Sequence, residues 1–144
     1  MFKRILVPTD GSDITAHAVD TAIQLAKVHG AQLLTLSVME PFPYSAVSEI
    51  QPVPPQEFID AQLRVATQRV EAVSASAAAQ GLSCKACTIE ALHAWEAIVD
   101  HAKAENVDLI VMASHGRKGF AALLMGSEAQ KVLTHIETPV LIVK

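Results

Sequence analysis

Apolar residues along the chain fall into short continuous runs, and between these runs they recur every three or four positions. The continuous runs predict strands, namely Ile5 to Val7, Leu33 to Val38, Leu82 to Ile89, Val107 to Met112 and Pro139 to Val143. The helical spacing predicts helices, namely from Ser12 or Asp13 to His29, from Gln56 to Gln80, from Trp95 to Glu105 and from Gly126–Ser127 to about Thr134. Strands that alternate with helices predict an α/β fold, with an open parallel sheet and helices on both faces.

The composition limits the classes of protein to which the chain can belong. Its 144 residues are 51% hydrophobic and 18% charged, which suits one domain, residues 1–144, with a large aliphatic core. The net charge of −4 argues against a nucleic-acid partner, which favours a basic surface. No apolar run reaches the ~20 residues that cross a bilayer, and the apolar N-terminal stretch is too short for a signal peptide. We therefore expect a cytoplasmic protein with no membrane partner.

Two loops are notable because each follows a predicted strand. One begins at Pro8–Thr9–Asp10, and the other runs from Ala113 to Gly119 and leads to Gly126–Ser127. Ligands of open parallel sheets bind at the carboxyl ends of strands. Glycine lets the backbone approach an anion, the first turn of a helix favours phosphate, and Arg117 and Lys118 add positive charge. An ordinary glycine-containing loop with a serine helix cap explains the same residues, so both interpretations stay open.

The spacing of these residues resembles the signature of the universal stress protein (UspA-type) family. That signature is Gly, two residues, Gly, nine residues, Gly and then Ser or Thr, and here it runs from Ala113 through Gly116 to Gly126–Ser127. The opening from Ile5 to Ser12 and the ending from Thr138 to Val143 are also similar to the family. The resemblance implies a Rossmann-like, five-stranded sheet of order 3-2-1-4-5, whose reversal places both loops at one crevice.

The resemblance also implies a ligand and the residues that bind it. Nucleotide-binding members hold ATP, ADP or AMP, often with Mg²⁺, and commonly form homodimers through the last strand, here Pro139 to Val143. By position, Asp10 contacts the nucleoside, the backbone of Val38 contacts adenine, and Gly126 and Ser127 hold phosphates. The rest of the expected site is made of residues from the same loops: Pro8, Thr9, Met112, Ala113, His115, Gly116, Arg117, Gly119 and Glu128.

Two positions depart from the family pattern. Ala113 replaces the first glycine of the signature, which costs about 1 kcal/mol or more if φ there is positive and little if φ is negative. Glu128 stands where the family often has an apolar residue, and a carboxylate close to phosphates would weaken the binding of a triphosphate.

Other chemistries have less support in the sequence. The Walker A motif, the dinucleotide-binding fingerprint and the Ser-Gly-Gly loop of ATP pyrophosphatases are all absent from it, so a slow ATPase lacks its usual loop. A dimeric interaction module that binds no nucleotide stays open. Cys84 and Cys87 resemble a redox or zinc pair, but within a strand they point to opposite faces. For His115 we favour a hydrogen bond that fixes the loop over acid–base chemistry. The proline-rich stretch from Glu40 to Pro55 predicts a surface loop, or a lid.

Overall fold

The helices and strands occur in the predicted order. The computed structural model of the protein describes residues 1–42, 55–115 and 125–144. Along the chain the elements are β1 Arg4–Pro8, α1 Asp13–His29, β2 Gln32–Met39, α2 Gln56–Ala78, β3 Cys84–Glu90, α3 Ala94–Ala104, β4 Leu109–Ala113, α4 Ser127–His135 and β5 Val140–Val143. Most of the proline-rich stretch that predicted a surface loop, residues 43–54, lies outside the described residues.

The strands form one parallel sheet in the order β3-β2-β1-β4-β5, which confirms the predicted topology. In the central strand, Leu6 is in register with Leu34 of β2 on one side and with Ile110 of β4 on the other. The chain order reverses between β1 and β4, and the carboxyl ends of both strands lie at the same edge of the sheet. This arrangement produces a crevice at that edge.

Two helices cover each face of the sheet. On one face, α1 and α2 pack against alternate strand residues such as Ile5, Val7 and Leu33. On the other face, α3 and α4 pack against the intervening residues, such as Leu6 and Leu34. Both faces of the central strands are therefore buried, as their continuous apolar sequence predicted. Cys84 and Cys87 pack against opposite layers, so they do not form a redox or zinc pair.

The start of α1 fixes the loop that follows β1. Ser12 is the N-cap residue, and its side chain accepts a hydrogen bond from the backbone N–H of Thr15 at 3.4 Å. This cap places α1 only a few residues beyond the end of β1, so the connecting loop is short. Among the described helices, none is both long and apolar enough to cross a membrane.

Candidate functional site

A crevice of about 710 Å³ opens at the carboxyl ends of β1, β2 and β4. Its lining includes ten of the residues that sequence analysis placed in the site: Pro8, Thr9, Asp10, Val38, Met112, Ala113, His115, Gly126, Ser127 and Glu128. The other three predicted residues, Gly116, Arg117 and Gly119, lie outside the described residues. Residues far apart in the sequence thus line one cavity, because the reversal of strand order brings their loops together.

The loop after β1 is held by a network of hydrogen bonds centred on Asp10. The Oδ1 atom of Asp10 accepts hydrogen bonds from the Ser12 backbone N–H at 3.0 Å, the Ser12 hydroxyl at 2.6 Å and the Thr15 hydroxyl at 2.7 Å. The backbone N–H of Thr9 donates to the carbonyl oxygen of Leu36 at 2.8 Å. The carboxylate of Asp10 therefore has a fixed position at the wall of the crevice.

The end of β4 is tied both to β5 and to the start of α4 through Ser114. The Ser114 N–H donates to the carbonyl oxygen of Val143 at 2.8 Å, and the Ser114 carbonyl accepts from the N–H of Gly126 at 2.6 Å. The Ser114 hydroxyl lies 3.1 Å from Nδ1 of His115. The hydrogen bond expected of His115 is thus present, and its partner, Ser114, was missed in the sequence analysis.

Gly126 lies directly against the backbone of the β4 end. A Cβ atom at this position would be 3.1 Å from the Ser114 carbonyl oxygen and 3.1 Å from Cα of His115. Its φ of −62° is open to any residue, so the requirement for glycine here is one of space. Gly126 is also the N-cap of α4 and makes no side-chain cap hydrogen bond. The first turn of α4, starting at Ser127, lines the crevice and is suited to an anion.

Alanine in place of the first signature glycine carries no conformational penalty. Ala113 is the last residue of β4, and Asn106 is the sole non-glycine residue with a positive φ in the part of the chain that the structure describes. Ala113 therefore has an ordinary strand conformation, and the cost considered for a positive φ does not arise.

Glu128 has a partner that its sequence position did not suggest. Its Oε2 atom accepts a hydrogen bond from the backbone N–H of Trp95 at 2.8 Å, in the first turn of α3. The N-cap residue of α3, His93, makes no side-chain cap hydrogen bond, so Glu128 of α4 caps α3 from outside. The repulsion of phosphates expected from Glu128 stays a prediction, while this hydrogen bond gives the carboxylate a structural role.

Replacing Glu128 by alanine is expected to destabilise the protein by about 1 kcal/mol, because a charged cap of α3 is lost. Urea unfolding of Glu128→Ala measures this loss. The matched control is Glu137→Ala, which removes an exposed carboxylate just beyond α4. Equal free energies of unfolding for the two variants would contradict the capping role.

The structure also places in the crevice residues that sequence analysis did not select. They come from all around the sheet edge and include Thr15, Leu36, Glu40, Gln62, Arg69 and Ile98. Arg69 is the one Lys or Arg among the described lining residues. Its position in the sequence, just before the buried Val70 of α2, was the available signal, since a residue beside an apolar stripe borders the helix interface.

The chain is similar to known proteins along its whole length. A sequence model described as "Universal stress protein family" matches residues 1–144. A universal stress protein of Thermus aquaticus is 35% identical over 146 residues, which cover 100% of both chains. The solved structure of UspA from Lactobacillus plantarum has a TM-score of 0.83 at 24% identity and covers 99% of this chain and 98% of its own. A universal stress protein in complex with cAMP has a TM-score of 0.71 at 25% identity, with coverages of 99% and 97%.

Proposed function

The chain belongs to the universal stress protein family, and we propose that it binds an adenine nucleotide, ATP, ADP or AMP, in the crevice at the carboxyl ends of β1 and β4. The observation that carries the proposal is the convergence of Asp10, Val38 and Gly126–Ser127 on one cavity. In this fold class, nucleotides bind in the cavity at the place where the strand order of the parallel sheet reverses, here between β1 and β4.

The lining of the crevice offers partners for both parts of a nucleotide. Leu36, Val38 and Ile98 give one part an apolar surface, against which a purine ring can pack. Gly126 and Ser127 supply a close-packed backbone and a helix start at which a phosphate is stabilised. The related structure in complex with cAMP supports an adenine nucleotide as the class of ligand.

Mg²⁺ would enter this site with the phosphates. In the described ranges, no group of three or more His, Cys, Asp or Glu side chains is placed to hold a metal ion. This suits Mg²⁺, which usually keeps several waters and binds through phosphate oxygens with few protein ligands. A bound ion would neutralise phosphate charge close to Glu128, which follows Ser127 in the first turn of α4.

We further propose that the protein acts by binding, in the cytoplasm, as part of a stress response. The side chain of His115 contacts the Ser114 hydroxyl in the loop, which favours a structural role over proton transfer. Slow ATP hydrolysis and a nucleotide-free interaction module are the alternatives. The first predicts release of phosphate from ATP, and the second predicts that no nucleotide binds.

Isothermal titration with MgATP and with AMP tests the proposed function. We expect one site per chain, and a rise in melting temperature with increasing nucleotide, because a ligand that binds only the folded state stabilises it. The absence of both heat and thermal shift at millimolar nucleotide would refute nucleotide binding and favour the interaction module.

We propose a homodimer that pairs through the last strand. β5 lies at the edge of the sheet, and Leu141 on this strand is 39% exposed. An exposed apolar edge strand presents unpaired backbone groups to a second copy. Light scattering of the wild type should give twice the chain mass at micromolar concentration.

Leu141→Lys is expected to shift the protein to monomers, because a charge at an edge strand opposes pairing. The matched control is Leu133→Lys, since Leu133 is also 39% exposed but lies on α4. A monomer mass for the wild type, or equal masses for the two variants, would contradict pairing through β5.

A further inference from the structure

The first turn of α4 carries both the proposed phosphate position and a carboxylate. Gly126 is the N-cap residue, α4 begins at Ser127, and Glu128 follows in the first turn. All three residues line the crevice. The proposed function places a phosphate at the backbone N–H groups of this helix start. A phosphate held there lies within about one helical turn of the Glu128 backbone.

The carboxylate of Glu128 is held at the wall of the crevice. Its Oε2 atom accepts the hydrogen bond from the backbone N–H of Trp95 at 2.8 Å. Ala94, the first residue of α3, also lines the crevice, so α3 and α4 both begin there and Glu128 joins their starts. The donor is a neutral N–H group, which fixes the carboxylate without cancelling its charge. The positive end of the α3 dipole, roughly half a unit charge, offsets only a part of it.

Glu128 therefore occupies the start of α3 in the way that a bound anion would. The free N–H groups and the dipole of a helix start stabilise negative charge, but the N–H of Trp95 already has a carboxylate as its acceptor. A phosphate can still bind at the start of α4. Further phosphates of the same ligand meet a fixed negative charge, and this repulsion rises with the charge of the ligand.

We propose that Glu128 makes the crevice select adenine nucleotides with one phosphate over those with three. This inference rests on the proposed nucleotide-binding function and specifies the class of ligand. Adenosine carries no phosphate charge, AMP carries one phosphate group and ATP carries three. The effect of the Glu128 charge on affinity therefore increases from adenosine to AMP to ATP.

The test is isothermal titration of adenosine, AMP and ATP into the full-length wild type and Glu128→Gln. Glutamine keeps an oxygen that can accept from Trp95, so the variant removes the charge and retains the cap. In the wild type we expect AMP to bind at least as tightly as ATP. In Glu128→Gln, ATP should bind roughly tenfold more tightly, AMP by no more than about threefold, and adenosine within about twofold of the wild type. The buffer has fixed ionic strength and no Mg²⁺, because a bound ion would neutralise phosphate charge.

The matched control is Glu96→Gln. Glu96 is an exposed carboxylate in the first turn of α3 that is not among the described lining residues, so its loss should leave all three affinities unchanged.

Three results would overturn the inference while leaving the proposed function intact. One is a wild type that binds ATP more tightly than AMP. Another is a ratio of ATP to AMP affinity that is the same in Glu128→Gln as in the wild type. The third is an equal change for adenosine, AMP and ATP, which would show that Glu128 acts only through the local fold. If the wild type binds no adenine nucleotide, the proposed function fails and the inference fails with it.

Discussion

Gly126→Val is expected to abolish measurable binding of nucleotide while the chain stays folded. The Cβ atom alone would approach the Ser114 carbonyl oxygen and His115 Cα to 3.1 Å, and valine adds two methyl groups beyond it. Because the neighbouring atoms are backbone, the β4 end and the α4 start must move apart. That separation breaks the 2.6 Å hydrogen bond from Gly126 to Ser114 and displaces the helix start at which we place the phosphate.

The size of this effect follows from the number of contacts that are lost together. We expect a decrease in affinity of about a hundredfold or more, since misplacing a helix start removes several hydrogen bonds to phosphate at once. Gly126→Ala should give a smaller loss, because one methyl group can be accommodated by a shift of a few tenths of an ångström. Titration calorimetry measures affinity, and circular dichroism on heating measures the fold.

Gly81→Ala separates a loss of stability from a loss of binding. Gly81 has a φ of +77° and lies in the turn between α2 and β3. Apart from its chain neighbours, no described residue would come within 4 Å of a Cβ atom at this position. Alanine there should lower stability by about 1 kcal/mol through backbone strain, with nucleotide affinity unchanged. If Gly126→Val binds nucleotide as the wild type does, the phosphate does not lie at the start of α4.

Asp10→Ala is expected to weaken AMP and adenosine by the same factor, roughly tenfold to a hundredfold. The Oδ1 atom of Asp10 accepts hydrogen bonds from three donors of Ser12 and Thr15, and alanine leaves all of them without this acceptor. The loop after β1 then loses its fixed geometry, at a cost to stability of about 1–3 kcal/mol. An equal effect on both ligands follows because we place Asp10 at the nucleoside and not at the phosphate.

Asp10→Asn and Asp100→Ala test this explanation. Asparagine keeps an Oδ1 acceptor, so it should recover most of the stability while affinity stays reduced by the loss of the charge. Asp100→Ala removes an exposed carboxylate of α3 and should change neither property. A decrease confined to AMP would place Asp10 at the phosphate and contradict its assignment to the nucleoside.

The fold was predictable because its pattern is local. Continuous apolar runs marked the buried parallel strands, and three- and four-residue spacing marked the helices, so the element order followed from the sequence. The strand order came from the resemblance to the family. The start of α1 at Ser12 was also predictable, since a serine before an apolar periodic stretch is a common helix cap.

The features of the site that the sequence did not predict depend on contacts between residues that are distant in the sequence. Glu128 caps α3 through Trp95, which is 33 positions away, and spacing within α4 gives no sign of this. Arg69 enters the crevice because of how α2 is rotated against the sheet and because Gly11 leaves room for it. The neighbouring Val70 indicates only that Arg69 borders the helix interface, and neither of these two conditions follows from it. The motifs in the sequence identified the two loops. The contact of Glu128 with Trp95 and that of Arg69 with Gly11 are visible only in the three-dimensional arrangement.

Nucleotide binding in the crevice is tested most directly by an AMP titration of the wild-type protein that is followed by two-dimensional ¹H–¹⁵N NMR. We expect the largest changes in the backbone amide signals of Thr9, Val38 and Ser127, which come from three separate parts of the chain and meet at the crevice. Shifts that cluster away from these residues, for example along β5, or no shifts at millimolar AMP, would contradict binding in the crevice.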